Sequence, residues 1–118
     1  MDLFNACTDG TLAEVELKWS AGVAVCVVMA SGGYPENYEK GKAITGIADA
    51  DALKDTKVFH AGTKVRAGEV VTNGGRVLGV TSWRPDLAGA RAAAYAAVAK
   101  ISFEAAHVRT DIASKAML

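Results

Sequence analysis

At 118 residues the chain has the length of one domain, able to bury roughly two thirds of the surface of its unfolded state, so it can hold a core without disulfide or metal staples. Thirteen basic residues balance thirteen acidic ones with no Lys/Arg cluster, which argues against a nucleic-acid partner. The longest apolar run, Val23 to Ala30, is too short to cross a bilayer, and "MDLFNACTDG" lacks the basic and apolar regions of a signal peptide, so the expectation is a soluble, cytoplasmic protein with no membrane partner.

In chain order, Leu3, Phe4 and Cys7 fall on one side of a short helix that Gly10 ends. Val15, Leu17 and Trp19 alternate with Glu14, Glu16 and Lys18, the pattern of a strand with one buried face. Val23 to Ala30 has no polar alternation, as expected of a strand covered on both faces. A glycine-rich loop, "SGGYPENYEKG", leads to a short strand around Ala43 to Ile47, a helical turn or loop in "ADADALKD" and a strand in "KVFHAG". In "EVVTNGGRVLGV" the apolar pairs Val70-Val71 and Val77-Leu78 flank Asn73-Gly74, which predicts a β-hairpin turning there. Asp86 caps a helix from about Leu87 to Lys100, whose Leu87, Ala90, Ala94, Tyr95 and Val98 recur at helical spacing. The tail reads as a short strand at Ile101 to Phe103, a loop and a terminal helical turn. The fold class is therefore α+β: a mainly antiparallel sheet or partial barrel, of the barrel-sandwich-hybrid kind, with one main helix packed on it.

Chemistry is harder to place. Cys7 and Cys26 have no C-x-x-C partner and read as reduced core thiols; His60 and His107 stand at no metal-ligand spacing and read as structural or surface residues. A phosphate loop ending at Gly41-Lys42 fails, because Glu36 stands where its first glycine belongs and Ala43 follows the lysine. "GGRVLG" fails as a dinucleotide fingerprint, with Arg76 in a glycine position. No catalytic residue and no metal ligand emerges. Gly32 and Gly33 suit either a tight turn or a bound ligand, and the residues alone leave both readings open.

The ordered motifs "CVVMASGGYP", "YEKG", "ITG", "VFHAGT", "VVTNGGRVLGVT" and "RTDI" resemble the C-terminal domain of the phosphoribosylamine-glycine ligases, the glycinamide ribonucleotide synthetases of de novo purine synthesis. The resemblance runs from about Leu12 to Leu118. It implies that residues 1–21 are the end of an ATP-grasp region and its connection, and that residues 22–118 are the C-terminal domain, here isolated or truncated. Two positions depart from the family pattern: Ala105 and Ala113 stand where glycine is usual. In that family ATP and magnesium activate the glycine carboxylate as an acyl phosphate, which the amine of phosphoribosylamine attacks. The nucleotide and metal site belongs to the ATP-grasp region, so the resemblance implies that no cofactor binds this chain alone. Its partners would be the N-terminal and ATP-grasp domains of the same enzyme and the small-molecule substrates, with self-association through the truncated face. For substrate contact the resemblance points to the Gly32-Gly33 loop with Tyr38 and Lys40, and to Arg76; Arg109 is a further phosphate candidate. Beside these stand the bland alternatives of a structural turn, packed tyrosines, a solvated lysine and solvated or ion-paired arginines.

Two other readings compete. "GTKVRAGEVV" is similar to the hairpin of biotinyl and lipoyl carriers, but the nearest match to their modified lysine, Lys115 in "SKAM", lies at the chain end. A stand-alone interaction domain derived from the ligase is the third.

Overall fold

A computed structural model describes residues 1–117. Its regular elements are α1 (Asp2–Asp9), β1 (Val23–Ser31), α2 (Ile47–Asp51), β2 (Thr56–His60), β3 (Thr63–Arg66), β4 (Glu69–Thr72), β5 (Arg76–Arg84), α3 (Leu87–Val98) and β6 (Ala106–Val108). All strand pairs are antiparallel: one sheet has the order β2-β5-β1-β6, and β3-β4 form a separate ribbon. The fold is α+β, with α3 as the main helix on the larger sheet.

Helix α3 starts at Asp86, whose carboxylate accepts a hydrogen bond from the Gly89 amide (2.7 Å) and satisfies one orphan donor of the first turn. Ala90, Ala94 and Ala97 are fully buried; their small side chains bring the helix axis close to the strands, where Ala90 and Ala94 meet Val25 and Val27. A second cluster joins Met29, Val58, Val77, Leu78 and Val80 to Ile101 and Phe103. The buried hydroxyls are paired: Ser82 with Thr56 (2.8 Å), and Ser31 to the Gly74 carbonyl (2.9 Å).

Several expectations need correction. Residues Val15 to Trp19 form no strand. A 3-10 turn at Leu12–Glu14 precedes extended chain with no sheet partner, and Leu17 and Trp19 are exposed, so the alternation has no buried face to serve. β1 is covered on one face only: Val25, Val27 and Met29 are buried, while Ala24, Cys26 and Val28 face outward. Cys7 and Cys26 are free thiols but exposed, not core. Asn73-Gly74 does not turn a hairpin, because β4 pairs with β3 and β5 with β1 and β2. The tight hairpin is one turn earlier, at Ala67-Gly68, where both residues have positive φ (50° and 84°), the signature of a type I′ turn. Ala43 and Thr45 make only single bridges, to Val71 and Ser102, before α2 begins at Ile47. Ser102 in turn carries the only bridge of the stretch expected as a strand at Ile101 to Phe103.

The two family departures fall on left-handed backbone, with φ 58° at Ala105 and 64° at Ala113. An L-residue there costs roughly 1–2 kcal/mol, partly offset by the smaller entropy it loses on folding. Ala113→Gly is therefore expected to stabilise the domain by about 0.5–1 kcal/mol, read as a higher denaturant midpoint at unchanged m-value. Gly46→Ala is expected to do the reverse. Gly46 has φ 80° and lies against the Lys100 carbonyl, where a methyl would overlap backbone, so a loss of about 2–4 kcal/mol should follow.

Candidate functional site

The loop that leaves β1 divides two concavities. Its glycines are required by the turn itself: the Tyr34 amide donates to the Ser31 carbonyl (3.1 Å), and the Glu36 amide to the Gly33 carbonyl (2.9 Å). A side chain at Gly32 would strike Ala105, and one at Gly33, where φ is 92°, would strike the Asn37 carbonyl. Tyr34 and Tyr38 meet edge to face, ring centroids 6.0 Å apart. The Tyr34 ring abuts Gly75, in the space that any side chain there would fill.

On one side of this loop, Gly32, Tyr38, Lys42 and Glu104 line a cleft of about 510 Å³. Its lysine is Lys42, not Lys40, and it is already engaged: the ammonium lies 2.6 Å from Glu39 and 2.8 Å from Glu104. Hydrogen bonds to Glu104 and then Glu39 raise the Lys42 pKa, and Lys42 holds Glu39 below the usual carboxylate range. One ammonium between two carboxylates leaves the cluster net negative, which disfavours a phosphate. The lowered Glu39 pKa makes this clamp present above the ordinary carboxylate pKa and lost as pH falls through the lower folded value. Lys40 is exposed and lines neither concavity.

On the other side, Tyr34, Pro35, Arg76, His107, Arg109 and Ala30 border a cavity of about 410 Å³. Arg76 reaches it through a break in strand register. Leu78, Val80 and Ser82 point into the core, and simple alternation would turn Arg76 inward with them. Between Met29 and Ala30 the β1-β5 register shifts, so that Met29 faces Leu78 but Ala30 faces Arg76. Val77 is the extra residue of this β-bulge; both it and Leu78 are buried, and Arg76 emerges on the outer face. β6 places His107 opposite the same Ala30. The row Arg76-Ala30-His107 thus sets two basic side chains on either side of a methyl group, on one face of three adjacent strands.

The Arg76 guanidinium makes no hydrogen bond or ion pair among the described residues, whereas Arg109 is held in a fork by Asp111 (2.9 and 2.7 Å), which raises the Arg109 pKa and lowers that of Asp111. The segment carrying Arg109 is fixed on α3: the Tyr95 hydroxyl donates to the Arg109 carbonyl (2.6 Å), and Arg91 donates to the carbonyls of Ile112 (2.8 Å) and Thr110 (2.7 Å). A fixed arginine, a free one and an imidazole around an apolar floor make a receptor for a compact anion.

The structure therefore separates the candidate residues read from the sequence. Gly32 and Tyr38 share the first cleft, Arg76 and Arg109 the second, and Lys40 neither. His107, set aside for want of metal spacing, joins the cationic site, and its place follows from pairing with Ala30 over a long sequence separation. Arg76's outward turn had a local trace: two adjacent buried apolar residues, Val77-Leu78, in an otherwise alternating strand.

Among the described residues, no group of three His, Cys, Asp or Glu side chains could hold a metal ion, and no helix is long and apolar enough to cross a membrane. The carrier reading has no support in the geometry: the β3-β4 hairpin tip is Ala67-Gly68, and Lys115 lies in a 3-10 turn at Ser114–Met117.

The family described as "Phosphoribosylglycinamide synthetase, C domain" matches residues 24–115. The phosphoribosylamine-glycine ligase of Synechocystis is 51% identical over 95% of the chain, and that of Rhodopirellula baltica 49% over 100%. The chain spans 27% of the length of each of these relatives. The crystal structure of the Thermotoga maritima phosphoribosylamine-glycine ligase superimposes with a TM-score of 0.74 at 34% identity, covering 92% of this chain and 27% of that one. The chain belongs to the phosphoribosylglycinamide synthetase C-domain family.

Proposed function

We propose that this chain serves as the C-terminal domain of a phosphoribosylamine-glycine ligase, which joins phosphoribosylamine and glycine with consumption of ATP to give glycinamide ribonucleotide. The observation that carries the proposal is 51% identity, over nearly the whole chain, to a protein of that name. Residues 1–21 are then the end of the ATP-grasp region and 22–118 the C-terminal domain proper.

Among the described residues no three His, Cys, Asp or Glu side chains gather, and the carboxylates of the first cleft, Glu39 and Glu104, are engaged by Lys42. The proposal therefore assigns ATP and magnesium to the rest of the enzyme and routes no phosphoryl-transfer step through this domain. The domain's part is to bind and orient. Arg76, with His107 and Arg109 beside it, receives the 5′-phosphate of phosphoribosylamine, and the Tyr34-Pro35 wall shields that contact from water. The Gly32-Gly33 loop, with Tyr38, shapes the approach, and Lys40 adds a solvated positive charge at its edge.

The test grafts this chain onto the Synechocystis ligase in place of that enzyme's own C domain. Arg76→Ala in the graft is expected to raise the KM for phosphoribosylamine about ten- to a hundred-fold, the worth of one charge-assisted hydrogen bond, with KM for ATP and glycine little changed. Lys40→Ala should move the same KM by less. An unchanged phosphoribosylamine KM in the Arg76 variant would remove that residue from the substrate site. The 118 residues alone are expected neither to hydrolyse ATP nor to form glycinamide ribonucleotide; turnover by the isolated chain would overturn the division of labour.

A further inference from the structure

Asn73-Gly74 has the composition of a hairpin turn, but the fold gives it no hairpin to turn. Hydrogen bonds hold the backbone on either side of the pair. The Asn73 amide donates to the Gly62 carbonyl (2.7 Å), the Ser31 hydroxyl to the Gly74 carbonyl (2.9 Å) and the Ser31 amide to the Gly75 carbonyl (2.8 Å). Between these anchors two groups are free: among the described residues, neither the Asn73 carboxamide nor the Gly74 amide makes a hydrogen bond. Asn73 is exposed, and Gly74, without a Cβ, leaves its nitrogen unshielded. These are the reacting groups in the spontaneous loss of the asparagine amide, which makes asparagine a thermolabile residue.

Comparable positions in the chain are protected. Asn5 precedes Ala6 inside α1, and Asn37 precedes Tyr38, so in each case a side chain stands on the residue whose nitrogen would attack. Asp9-Gly10 could close the same ring, but there the Gly10 amide is held by the Ala6 carbonyl as the cap of α1. Asn73 alone combines a following glycine with a free amide. It also lies beside the anion receptor: Asn73 and Arg76 line one groove, which shares Val28, Tyr34 and Arg76 with the Arg76-His107 cavity.

We propose that Asn73 is a site of spontaneous covalent modification, and that its conversion disables the neighbouring Arg76 site. The Gly74 nitrogen attacks Cγ of Asn73; its proton passes to solvent, the Cγ–Nδ2 bond breaks and ammonia leaves, closing a succinimide ring. Water then opens the ring. Cleavage between the nitrogen and Cγ gives aspartate, whereas cleavage between the nitrogen and the main-chain carbonyl carbon gives isoaspartate, through which the backbone runs one methylene longer. Both products bear on Arg76. A carboxylate at position 73 is a counter-ion for its free guanidinium and competes with an incoming anion for the same donors. Isoaspartate also displaces Gly74 and Gly75 from their bonds to Ser31, and with them the start of β5, whose first residue is Arg76.

Mass spectrometry of the 118-residue chain decides the modification. The sequence has no glutamine, so the mass gained when NH2 is replaced by OH reports asparagine alone. Trypsin, cutting after Arg66 and Arg76, releases position 73 in the peptide of residues 67–76, whose isoaspartyl and aspartyl forms separate by chromatography. Conversion at Asn73, with Asn5 and Asn37 unchanged, is expected in the folded chain at a rate within about ten-fold of that in urea, as for a site open without unfolding. Asn73 intact in the folded chain while it converts in urea overturns the proposal. The effect on Arg76 rests on the ligase reading and is measured in the Synechocystis graft. Asn73→Asp is expected to raise the KM for phosphoribosylamine about ten-fold with kcat little changed, and a graft aged until Asn73 has converted should show the same shift. Asn73→Ser, neutral and unable to close the ring, separates charge from loss of the side chain: a KM raised as much by serine as by aspartate overturns the coupling. An unchanged KM in Asn73→Asp where Arg76→Ala raises it overturns the coupling too, and leaves the ligase reading intact. If neither variant moves that KM, the phosphate role of Arg76 falls and the coupling with it, while the peptide masses still decide the modification.

Discussion

The antiparallel pairing of β1 with β5, and the single break in its register between Met29 and Ala30, decides which side chains belong to the core and which to the outer face. Up to the break, alternation sends Val25, Val27 and Met29 toward α3, with Leu78, Val80 and Ser82 opposite. At the break Val77 enters as an extra buried residue, and everything beyond it on β5 changes side. Arg76 is thereby placed on the outer face instead of being buried as an unpaired charge, a placement that would cost several kcal/mol. The bulge thus serves stability and site together. It fills the core with one more valine and delivers a guanidinium to the row shared with Ala30 and His107.

Charge separates the two concavities that the loop after β1 divides. Where Lys42 stands, the ammonium is neutralised by Glu39 and Glu104, and the residual charge is negative. Across the loop Arg76 is free and Arg109 is committed to Asp111 only along one edge. Exposed ion pairs of the Lys42 kind contribute little stability, but they change where an anion will settle. Of the two concavities, the Arg76 side is the one whose cations outnumber its carboxylates, a balance set by the fold and not by lysines and arginines nearby in sequence.

What could be read from the sequence was what local chemistry decides. The glycine that ends α1, the aspartate that caps α3 and the alanine stripe of that helix act within one or two turns, so their patterns are complete in a short window. The Gly32-Gly33 pair suited a turn or a ligand contact equally in sequence, and the hydrogen bonds Tyr34 to Ser31 and Glu36 to Gly33 show that it makes the turn. Three features were not legible, each for a long-range cause. Val15 to Trp19 alternates perfectly but finds no strand to pair with. Asn73-Gly74 has the composition of a hairpin turn, yet neither residue takes positive φ, while Ala67-Gly68 does. Register with β3 overrode propensity there, since Val70 pairs with Val65 rather than with Val77. The cationic site joins residues from β5 and β6 through their common neighbour on β1, and no spacing rule connects positions 30, 76 and 107.

The misreading of β1 has a physical lesson of its own. A strand buried on both faces and a strand with one face in the core and one reserved for a partner are written in the same residues, because both need apolar side chains at every position. Ala24, Cys26 and Val28 carry the composition of the first and the exposure of the second. Sequence records the burial a strand will have in its assembled state, whereas the isolated chain shows only the burial it supplies for itself. The difference between the two is therefore a property of the uncovered face. It is largest on the face where Phe59 and Trp83 flank β1, and vanishes on the face where Ala90 and Ala94 already cover it. An apolar strand that a fold leaves half uncovered points to its partner more directly than any polar motif on the same chain, since polar residues are at home in water and apolar runs of this length are not.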